Sequence, residues 1–410
     1  MPRARLQDLR AAVESALPDY LDDLQRLVDV DCGTYTKSGV DDVATWAEQR
    51  LEELGASVVR HANAELGDTV VGTFERDAAG PTVLLIGHTD TVFGPGTVAE
   101  RPFAMRDGRA YGPGVSDMKG GLLAGLYALA ALRCVAAGAP STPSVASTSW
   151  LPVGRLVFIV NPDEEIGSPV STPVIVEQAA RADVALVLES ARENGDIVSS
   201  RKGHTDLRIH VQGRAAHAGV EPHKGRSAVL EAAHKIVALH GLNGQYPGVT
   251  VNAGVVHGGT RPNIVAERAD IEVDVRAVER RHLESVEAAI LAIAEAPTVP
   301  DVTGVVEIAA RHWPMERTDA SARLVEHAVR LAAELGFELS DAATGGASDG
   351  NTTAGLGVPT IDGLGPIGGL DHAPGEYIEV DSIVPRTALL AGLLRAIGDD
   401  SQIGRTPRHA

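Results

Sequence analysis

Residues 81–120 read PTVLLIGHTDTVFGPGTVAERPFAMRDGRAYGPGVSDMKG and decide the fold. The segment opens with the apolar run Val83 to Ile86, which is bounded by turn residues and leads through Gly87 to His88. A short apolar run of this kind predicts a buried strand of a parallel sheet, and ligands of open α/β sheets bind beyond the carboxyl ends of the strands. His88 therefore lies where chemistry is expected.

Two acidic residues near His88 could support such chemistry. Asp90 is two positions along an extended segment, so its carboxylate can accept the second imidazole proton and fix the tautomer of His88. Asp117 follows a Gly-Pro-Gly turn and precedes a helix-like run, Met118 to Leu132. Each residue also has an interpretation that involves no metal. Asp117 could be the N-cap of the following helix, and His88 could be a hydrogen-bonded histidine at the end of a strand.

Two further apolar runs also end on acidic residues. Leu156 to Val160 is followed by Asn-Pro-Asp and the pair Glu164-Glu165, and Val184 to Leu188 ends directly on Glu189. An arbitrary glutamate pair is usually a solvated face. Here, however, three predicted buried strands each deliver a histidine or a carboxylate at the carboxyl end, and this coincidence indicates a metal site.

A fourth strand-like segment, Val358 to Ile361, leads through a glycine-rich loop to His372. For His372 alone, a capping role and a ligating role both stay open. Taken together, two histidines, one aspartate and two glutamates form an oxygen and nitrogen donor set suited to a pair of zinc-like ions.

Composition limits the classes of protein that fit. The chain has 410 residues, 44% hydrophobic and 22% charged, which is an ordinary globular balance and long enough for two domains. A formal net charge of −19 argues against nucleic acid or an anionic membrane as partner. Cys32 and Cys134 are the only cysteines, too few for a disulfide framework or a thiolate zinc site.

The N-terminus lacks the apolar core of a signal peptide and no run is long enough to span a bilayer, so we expect a cytoplasmic protein.

The pattern between residues 203 and 311 differs from its surroundings. Thr205 to Val211 alternates apolar and polar residues, and the predicted order that follows is β-α-β-β-α-β, the ferredoxin-like arrangement. We therefore expect an α/β protein in which a mostly parallel mixed sheet flanked by helices (1–202 and 312–410) carries an inserted ferredoxin-like α+β domain (203–311). The Ala, Pro, Ser and Thr-rich stretch Ala136 to Val153 predicts a surface loop.

Several motifs of the sequence, taken in order, resemble those of a known family of enzymes. His88-Thr-Asp-Thr-Val, Tyr111-Gly-Pro-Gly with Asp117 and Lys-Gly-Gly, and Asp163-Glu-Glu with Gly-Ser resemble the dizinc exopeptidases and aminoacylases, including glutamate carboxypeptidase, peptidase T, succinyl-diaminopimelate desuccinylase and acetylornithine deacetylase. The similarity covers nearly the whole chain and is greatest to bacterial glutamate carboxypeptidase. Ala215 to Gly219 resembles its lid motif, and Thr344 to Asp349 its Thr-Gly-Gly-Gly-Thr-Asp segment with two substitutions.

The resemblance implies roles for individual residues. His88 and Glu189 would hold one zinc, Glu165 and His372 the other, and Asp117 would bridge them. Cobalt or manganese could replace zinc. Asp90 would orient His88, and Glu164 would be the general base. The inserted domain (203–311) would be a lid and dimerisation domain, from which His217 would reach the site of the partner subunit in a homodimer and hydrogen-bond the developing oxyanion.

Specificity is predicted from fewer observations. An exopeptidase needs a group for the terminal carboxylate of its substrate, and Arg276 is the candidate because an arginine fork binds a carboxylate bidentately. Asn263, Arg311 and Ser348, which lie in the resembling segments, are the further candidates for substrate binding. Arg276 could equally pair with Asp274, and His217 could be a surface histidine.

The predicted function is a metal-dependent amide hydrolase that releases a C-terminal, Glu-like amino acid from a peptidyl or N-acyl substrate. An N-acyl-amino-acid deacylase or dipeptidase of the same family is the first alternative. The second, from another class, is a non-catalytic, cation-binding dimeric partner protein. A calcium site is disfavoured because calcium prefers six to eight oxygens in a flexible loop.

Overall fold

The computed structural model describes residues 3–77, 79–137 and 148–403. Within them the chain forms two compact units. Unit 1 is Met1–Ser199, Arg317–Ala343 and Ser348–Ala410, and unit 2 is Ser200–Glu316 with Thr344–Ala347. The insert expected at 203–311 lies within unit 2, and its exact limits stay a prediction. Of the loop expected at Ala136–Val153, residues 138–147 lie outside the described residues.

The elements follow one another in three stretches of chain. The first contains α1 (Arg3–Ser15), α2 (Leu17–Val28), α3 (Lys37–Leu54), β1 (Ser57–His61), β2 (Thr69–Glu75), β3 (Thr82–His88), α4 (Thr97–Glu100), β4 (Ala104–Arg106), β5 (Arg109–Tyr111), α5 (Gly120–Ala137), β6 (Arg155–Asn161), α6 (Thr172–Ala179), β7 (Val184–Val187) and β8 (Ile197–Arg201). The second contains β9 (Gly203–Gln212), β10 (Ala216–His217), α7 (Ala228–His240), β11 (Thr250–Gly258), β12 (Ile264–Val265), β13 (Arg268–Ala277), α8 (Arg280–Glu295) and β14 (Thr303–His312). The third contains α9 (Asp319–Leu335), β15 (Asp341–Thr344), α10 (Asp349–Gly355), β16 (Thr360–Ile361), β17 (Gly368–Gly369), β18 (Tyr377–Glu379) and α11 (Val380–Asp399).

Unit 1 is built on a mixed six-stranded sheet in the order β1-β2-β6-β3-β7-β16. Strands β6, β3, β7 and β16 run parallel, whereas β2 pairs antiparallel with β1 and β6. Apolar side chains of β3 alternate between two cores: Val83 and Leu85 face one, Leu84 and Ile86 the other. Because both faces of the sheet are covered, its central strands read as continuous apolar runs.

Helix α5 forms much of the larger core. The apolar stretch Val115–Ala137 is long and apolar enough to cross a membrane by length and composition, so the expectation that no run reaches that length is wrong. Most of this stretch is buried in the protein, packed against α1 and α11. A buried core helix can be as long and as apolar as a membrane-spanning helix, and the surroundings of this stretch are typical of a core helix.

A second, small sheet of unit 1 was not predicted. It has the order β17-β18-β5-β4 and joins the segment before α5 to the segment before α11. In its register Tyr377 pairs with Tyr111, and Glu379 with Arg109. This pairing fixes the loop that contains His372 next to the turn that contains Asp117.

Unit 2 contains an antiparallel sheet in the order β11-β13-β9-β14. Its main strands and helices occur in the order β-α-β-β-α-β, as expected for a ferredoxin-like unit. In β9 the residues Leu207, Ile209 and Val211 are buried against α7 and α8, while the residues between them are partly exposed. The alternation of apolar and polar residues in β9 therefore arises because one face of this sheet is covered by helices and the other is not.

Candidate metal centre

Three neighbouring parallel strands deliver polar side chains to one edge of the unit 1 sheet. His88 is the last residue of β3, and β6 and β7 flank β3 on either side. After β6 ends at Asn161 the chain forms a helical turn, Glu164–Ile166, and β7 is followed within two residues by Glu189. Since these carboxyl ends lie side by side, His88 and Glu189, 101 positions apart in sequence (189 − 88), come together.

Asp117 lies between the two histidines. Its Oδ1 is 2.9 Å from Nε2 of His88, and its Oδ2 is 3.0 Å from Nε2 of His372. The carboxylate is on the turn Val115–Lys119 that follows β5, not at the start of a regular helix. Asp117 therefore contacts both halves of the predicted ligand set, as a bridging residue must.

The predicted ligands form two groups that share Asp117. One is His88, Asp117 and Glu189, and the other is Asp117, Glu165 and His372; in each group the possible ligand atoms lie within 4.8 Å of one another. Oε1 of Glu189 is 3.7 Å from Nε2 of His88, and Oε2 of Glu165 is 3.2 Å from Nε2 of His372. All five predicted metal ligands are thus together in unit 1.

Two observations test whether these residues fit divalent ions. Oε1 of Glu165 is buried and has no hydrogen-bond partner among the described residues. A buried carboxylate oxygen without a partner is costly, and a cation would satisfy it. The mixture of imidazole nitrogen and carboxylate oxygen is also the donor chemistry of zinc and related ions. The residues present fit a pair of such ions.

The electrostatics of the cluster favour cation binding. Burial, followed by the charge of Asp117, raises the pKa of Glu189 to about 8. Hydrogen bonds with Asp117 and Glu165 raise the pKa of His372 to about 11. Burial opposes ionisation of Asp117, yet hydrogen bonds from His372 and His88 hold its pKa well below the usual range. Divalent ions would replace the protons that these groups retain.

Asp90 supports the site differently from the prediction. The nearest acceptor for Nδ1 of His88 is the main-chain oxygen of Asp90 at 3.0 Å, while the carboxylate oxygen Oδ1 is 3.4 Å away. The fully buried carboxylate accepts hydrogen bonds from the main-chain N–H groups of Glu164 (3.1 Å) and Glu165 (3.2 Å) and from the hydroxyl of Thr34 (2.7 Å). Asp90 therefore orients the glutamate turn as well as the histidine.

Glu164 belongs to neither ligand group. Burial, and next the negative charge of Glu189, raises the pKa of the Glu164 carboxyl well above its ordinary value. A carboxyl group with a raised pKa beside a predicted metal pair has the property that a general base needs near neutral pH.

A buried polar network below the glutamate turn was missed by sequence reasoning. Ser168 donates to Asp349 Oδ1 at 2.6 Å, and the amide of Asn161 donates to both Ser168 and Asp349. Ser171 donates to Asp163 at 2.6 Å. The only signal in the sequence was the number of polar residues directly after an apolar strand.

The remaining predicted residues lie in unit 2, except Ser348. His217 is exposed in β10, and its Nδ1 accepts the N–H of Gly219 at 3.2 Å, which assigns the proton of the neutral ring to Nε2. Asn263 is exposed, and its main-chain oxygen accepts the N–H of Ala218.

The two candidate arginines are both engaged. Nε of Arg276 is 3.2 Å from Asp274, the pairing left open above, and its Nη1 donates to the main-chain oxygen of Gly345 at 3.0 Å. Arg311 makes a two-point contact with Glu287, at 3.0 and 2.6 Å. Their role in substrate binding stays a prediction.

Ser348 has a structural task in unit 1. It is the N-cap of α10, where its hydroxyl accepts the N–H of Gly350 at 3.0 Å and donates to Asp362 at 2.6 Å. The side chain is buried, and these contacts account for it without a substrate.

Unit 1 has a cleft of about 430 Å³ whose lining comes from two segments of chain near the metal ligands in sequence. The lining residues are Ala191–Asn194, which begin two residues after Glu189, and Gly368–Asp371, which end directly before His372. The lining includes the exposed residue Arg192, which sequence reasoning did not single out, and the acidic residues Glu193 and Asp371.

Comparisons with known proteins agree with this geometry. The pattern of Peptidase family M20/M25/M40 matches residues 84–396. The chain is 28% identical over 386 residues to Carboxypeptidase G2 of Pseudomonas sp. (strain RS-16), covering 93% of this chain and 90% of that protein. It is 30% identical over 359 residues to succinyl-diaminopimelate desuccinylase of Burkholderia multivorans, covering 82% and 89%.

Solved structures show the same fold. The crystal structure of aminopeptidase PepT from Bacillus cereus superposes with a TM-score of 0.73 at 23% identity, covering 93% of this chain and 98% of that chain. The family pattern spans most of the sequence and includes all five residues of the two ligand groups. The chain therefore belongs to peptidase family M20/M25/M40 and is a metal-dependent hydrolase of the peptidase and amidohydrolase type.

Proposed function

We propose that this protein is a carboxypeptidase-like amide hydrolase that uses two divalent ions and releases a C-terminal, Glu-like amino acid. The observation that carries the proposal is the position of Asp117, shared between two groups of possible ligands, with Glu164 close by and outside both groups. Two ions that share a ligand, with a free carboxylate beside them, suit hydrolysis of an amide bond.

The ligand groups assign the ions to residues. His88, Asp117 and Glu189 would hold one ion, and Asp117, Glu165 and His372 the other. Zinc fits this donor set best, and cobalt or manganese are the expected substitutes. When bound, the ions supply Lewis acidity toward a water molecule and toward the scissile carbonyl group.

Glu164 is the proposed general base. Its carboxylate takes a proton from the attacking water and passes it to the nitrogen of the leaving amino acid. Asp90 supports this role because it accepts the main-chain N–H of Glu164 and so fixes the turn from which the carboxylate projects. The burial that raises the pKa of Glu164 also makes it a better proton acceptor.

His217 is the proposed donor to the carbonyl oxygen as negative charge develops there. Its ring is exposed, and the contact with Gly219 leaves the proton on Nε2, the nitrogen that does not face its own main chain. A neutral imidazole in this tautomer can donate one hydrogen bond to an oxyanion.

A homodimer formed through unit 2 would supply His217 from the second subunit. Exposed apolar side chains in unit 2 support this arrangement: Leu230 and Val237 lie seven residues apart on α7, and Val255 and Val256 are exposed on the edge strand β11. Exposed apolar groups on a helix face and on a sheet edge are typical of interaction surfaces.

The leaving group is proposed to have a free carboxylate. The similarity to Carboxypeptidase G2 supports a carboxypeptidase, and the chain has arginines suited to a carboxylate. Arg276 is the candidate from the sequence, and Arg192, which lines the cleft and lies three residues after Glu189, is a second candidate from the structure.

An N-acyl-amino-acid deacylase is the second candidate function. It is favoured by the 30% identity to succinyl-diaminopimelate desuccinylase, and it requires the same ligand groups with different contacts to the acyl side. A non-catalytic cation-binding protein is disfavoured because such a protein needs no buried carboxylate beyond its ligands, and Glu164 is a buried carboxylate outside both ligand groups.

The proposal is tested by removing metal with a chelator and adding back zinc, cobalt or manganese. We expect activity on N-acyl and dipeptide substrates to disappear and return, and the Glu164→Gln variant to stay inactive after reloading. One panel varies the C-terminal residue at a fixed acyl group, with each C-terminal amide as control, and a second varies the acyl group at a fixed C-terminal residue. Strong selection in the first panel indicates a carboxypeptidase, and strong selection in the second indicates a deacylase. Activity that survives complete metal removal would contradict the proposal.

A further inference from the structure

Glu376 is a buried carboxylate that neither the ligand groups nor the proposed proton transfer uses. Its exposed fraction is 1%. It lies four residues after His372 and directly before β18, in the small sheet of unit 1. The pairing of Tyr377 with Tyr111 brings it to the start of the turn Gly112 to Asp117, which follows β5.

Both oxygens of Glu376 are occupied by the main chain of that turn. Oε2 accepts the N–H of Gly114 at 3.0 Å, and Oε1 accepts the N–H groups of Ser116 at 2.8 Å and Asp117 at 3.0 Å. The third of these donors belongs to the residue that both ligand groups share. Three N–H bonds to one carboxylate fix the position of a turn far more closely than a single contact would.

The turn needs such support because its backbone is irregular. Gly114 has a φ of +72°, and the helical turn Val115–Lys119 contains non-helical backbone angles at Asp117. Regular helix bonds therefore do not fix the main chain at Asp117. The three N–H groups bound by Glu376 would otherwise be buried without a regular partner.

The loop on the other side of Glu376 is irregular as well. His372 has a φ of +62° and Leu370 a φ of +58°, left-handed conformations that are unfavourable for residues other than glycine. A loop held in such conformations persists only when its surroundings fix it. The main-chain bond from Glu376 N to Ala373 O and the carboxylate of Glu376 close this loop onto the turn that contains Asp117.

We propose that Glu376 is a positioning residue that sets the distance between the bridging ligand Asp117 and the ligand His372. One end of this residue continues the His372 loop, and the other end binds the main chain of Asp117. This inference rests on the proposed metal-dependent function, because it assigns a role only if Asp117 and His372 bind metal. Outer residues that orient ligands typically change metal affinity by about 10- to 100-fold when they are replaced.

Glu376 does not take part in the chemistry itself. It is buried, and its carboxylate oxygens are already bound to three N–H groups, so it is not available to a substrate. A merely structural role predicts that its replacement lowers the stability of the fold and leaves metal affinity of the folded protein unchanged. The two roles are therefore distinguished by metal binding measured on folded protein.

The test compares Glu376→Gln with the control Glu379→Gln. Glutamine keeps the size of the side chain but presents an NH₂ group to one of the N–H donors. Glu379 is the last residue of β18, three residues after Glu376, and its carboxylate pairs with Arg109 at 2.7 Å. Each full-length variant is dialysed against a series of buffered free zinc concentrations, and bound zinc is counted by elemental analysis.

We expect Glu376→Gln to need about 10- to 100-fold more free zinc for full loading. Its kcat should fall at fixed free zinc and recover in part as zinc is raised, with little change in KM. Glu379→Gln should match the unchanged protein in zinc loading. If Glu376→Gln is poorly folded, Glu376→Asp is used instead, because it keeps the negative charge on a shorter side chain. Glu376→Asp should also need more free zinc than the unchanged protein for full loading.

Equal zinc loading of folded Glu376→Gln and the unchanged protein would overturn this inference and leave the proposed function intact. Failure of the unchanged protein to bind zinc, cobalt or manganese would instead overturn the proposed function. The two failures are therefore distinct.

Discussion

The main-chain oxygen of Asp90 is 3.0 Å from Nδ1 of His88, closer than the Asp90 carboxylate oxygen Oδ1 at 3.4 Å. The tautomer of His88 is thus fixed mainly by a group that mutation of the side chain does not remove. The carboxylate is free to bind the main chain of Glu164 and Glu165.

Replacing Asp90 by Asn should therefore disturb the glutamate turn more than His88. One oxygen remains to accept an N–H, but the new NH₂ group faces a second donor. We expect kcat to fall by about 10- to 100-fold. Zinc titration should show weaker binding at the ion held by Glu165 and little change at the ion held by His88. As a control, Thr34→Val removes only the hydroxyl contact and should have a smaller effect. A loss confined to the His88 ion would show that the carboxylate, not the main chain, orients the histidine.

Replacing Glu164 by Gln should remove turnover and keep the metal. A general base contributes about 10²- to 10⁴-fold to the rate, so we expect kcat to fall by that factor. The matched change Glu165→Gln, one position along the same turn, should lower zinc content, because Glu165 lies in a ligand group and Glu164 does not. Elemental analysis of both variants decides the division of roles. Loss of zinc in Glu164→Gln with zinc retained in Glu165→Gln would reverse it.

Co-expression of two inactive variants tests whether His217 acts across a dimer. In a mixed dimer of His217→Ala with Glu164→Gln, one of the two sites would have both an intact Glu164 and an intact His217 from the other subunit. Random assembly should restore about a quarter of the wild-type activity. Each variant purified alone is the control. If both residues act within one subunit, the mixture should be as inactive as its components.

The stability of unit 1 should depend on acid through Asp68. Although burial opposes its ionisation, bonds from the main chain of Asn63 and from Arg60 and Lys37 lower the pKa of Asp68 to about 2. A lowered pKa stabilises the folded state fully above the unfolded value near 4, and this contribution is lost as pH falls through about 2.

We expect Asp68→Asn to lower the free energy of unfolding by about 2 kcal/mol at pH 6, with the difference from the unchanged protein falling by about half at pH 3. Urea unfolding at both pH values measures this, with the exposed Asp42→Asn as control. A difference that is constant between pH 6 and pH 3 would exclude an electrostatic role for Asp68.

Much of the fold could be predicted from the sequence because the strands that carry the site are buried on both faces. Val83 to Ile86 reads as one apolar run since alternate side chains enter different cores. The same argument identifies β6 and β7, and the alternation in β9 identifies a sheet with one covered face. The residue types at the ends of these strands then indicated metal ligands.

What could not be predicted depends on contacts between distant segments. Strands β5 and β18 have three residues each and no apolar period, so local patterns do not reveal them. The role of Glu376 arises from a contact with Gly114 across 262 positions. Likewise, the main-chain oxygen of Asp90 competes with its carboxylate for His88, which spacing alone cannot reveal.

The central claim is that Asp117 is shared by two divalent ions. Crystals of the zinc-loaded protein, measured on both sides of the zinc absorption edge, test it most directly. We expect two anomalous peaks within about 4 Å of each other, one on each oxygen of Asp117, with His88 and Glu189 on one ion and Glu165 and His372 on the other. A single peak, or two peaks that do not share Asp117, would contradict the account.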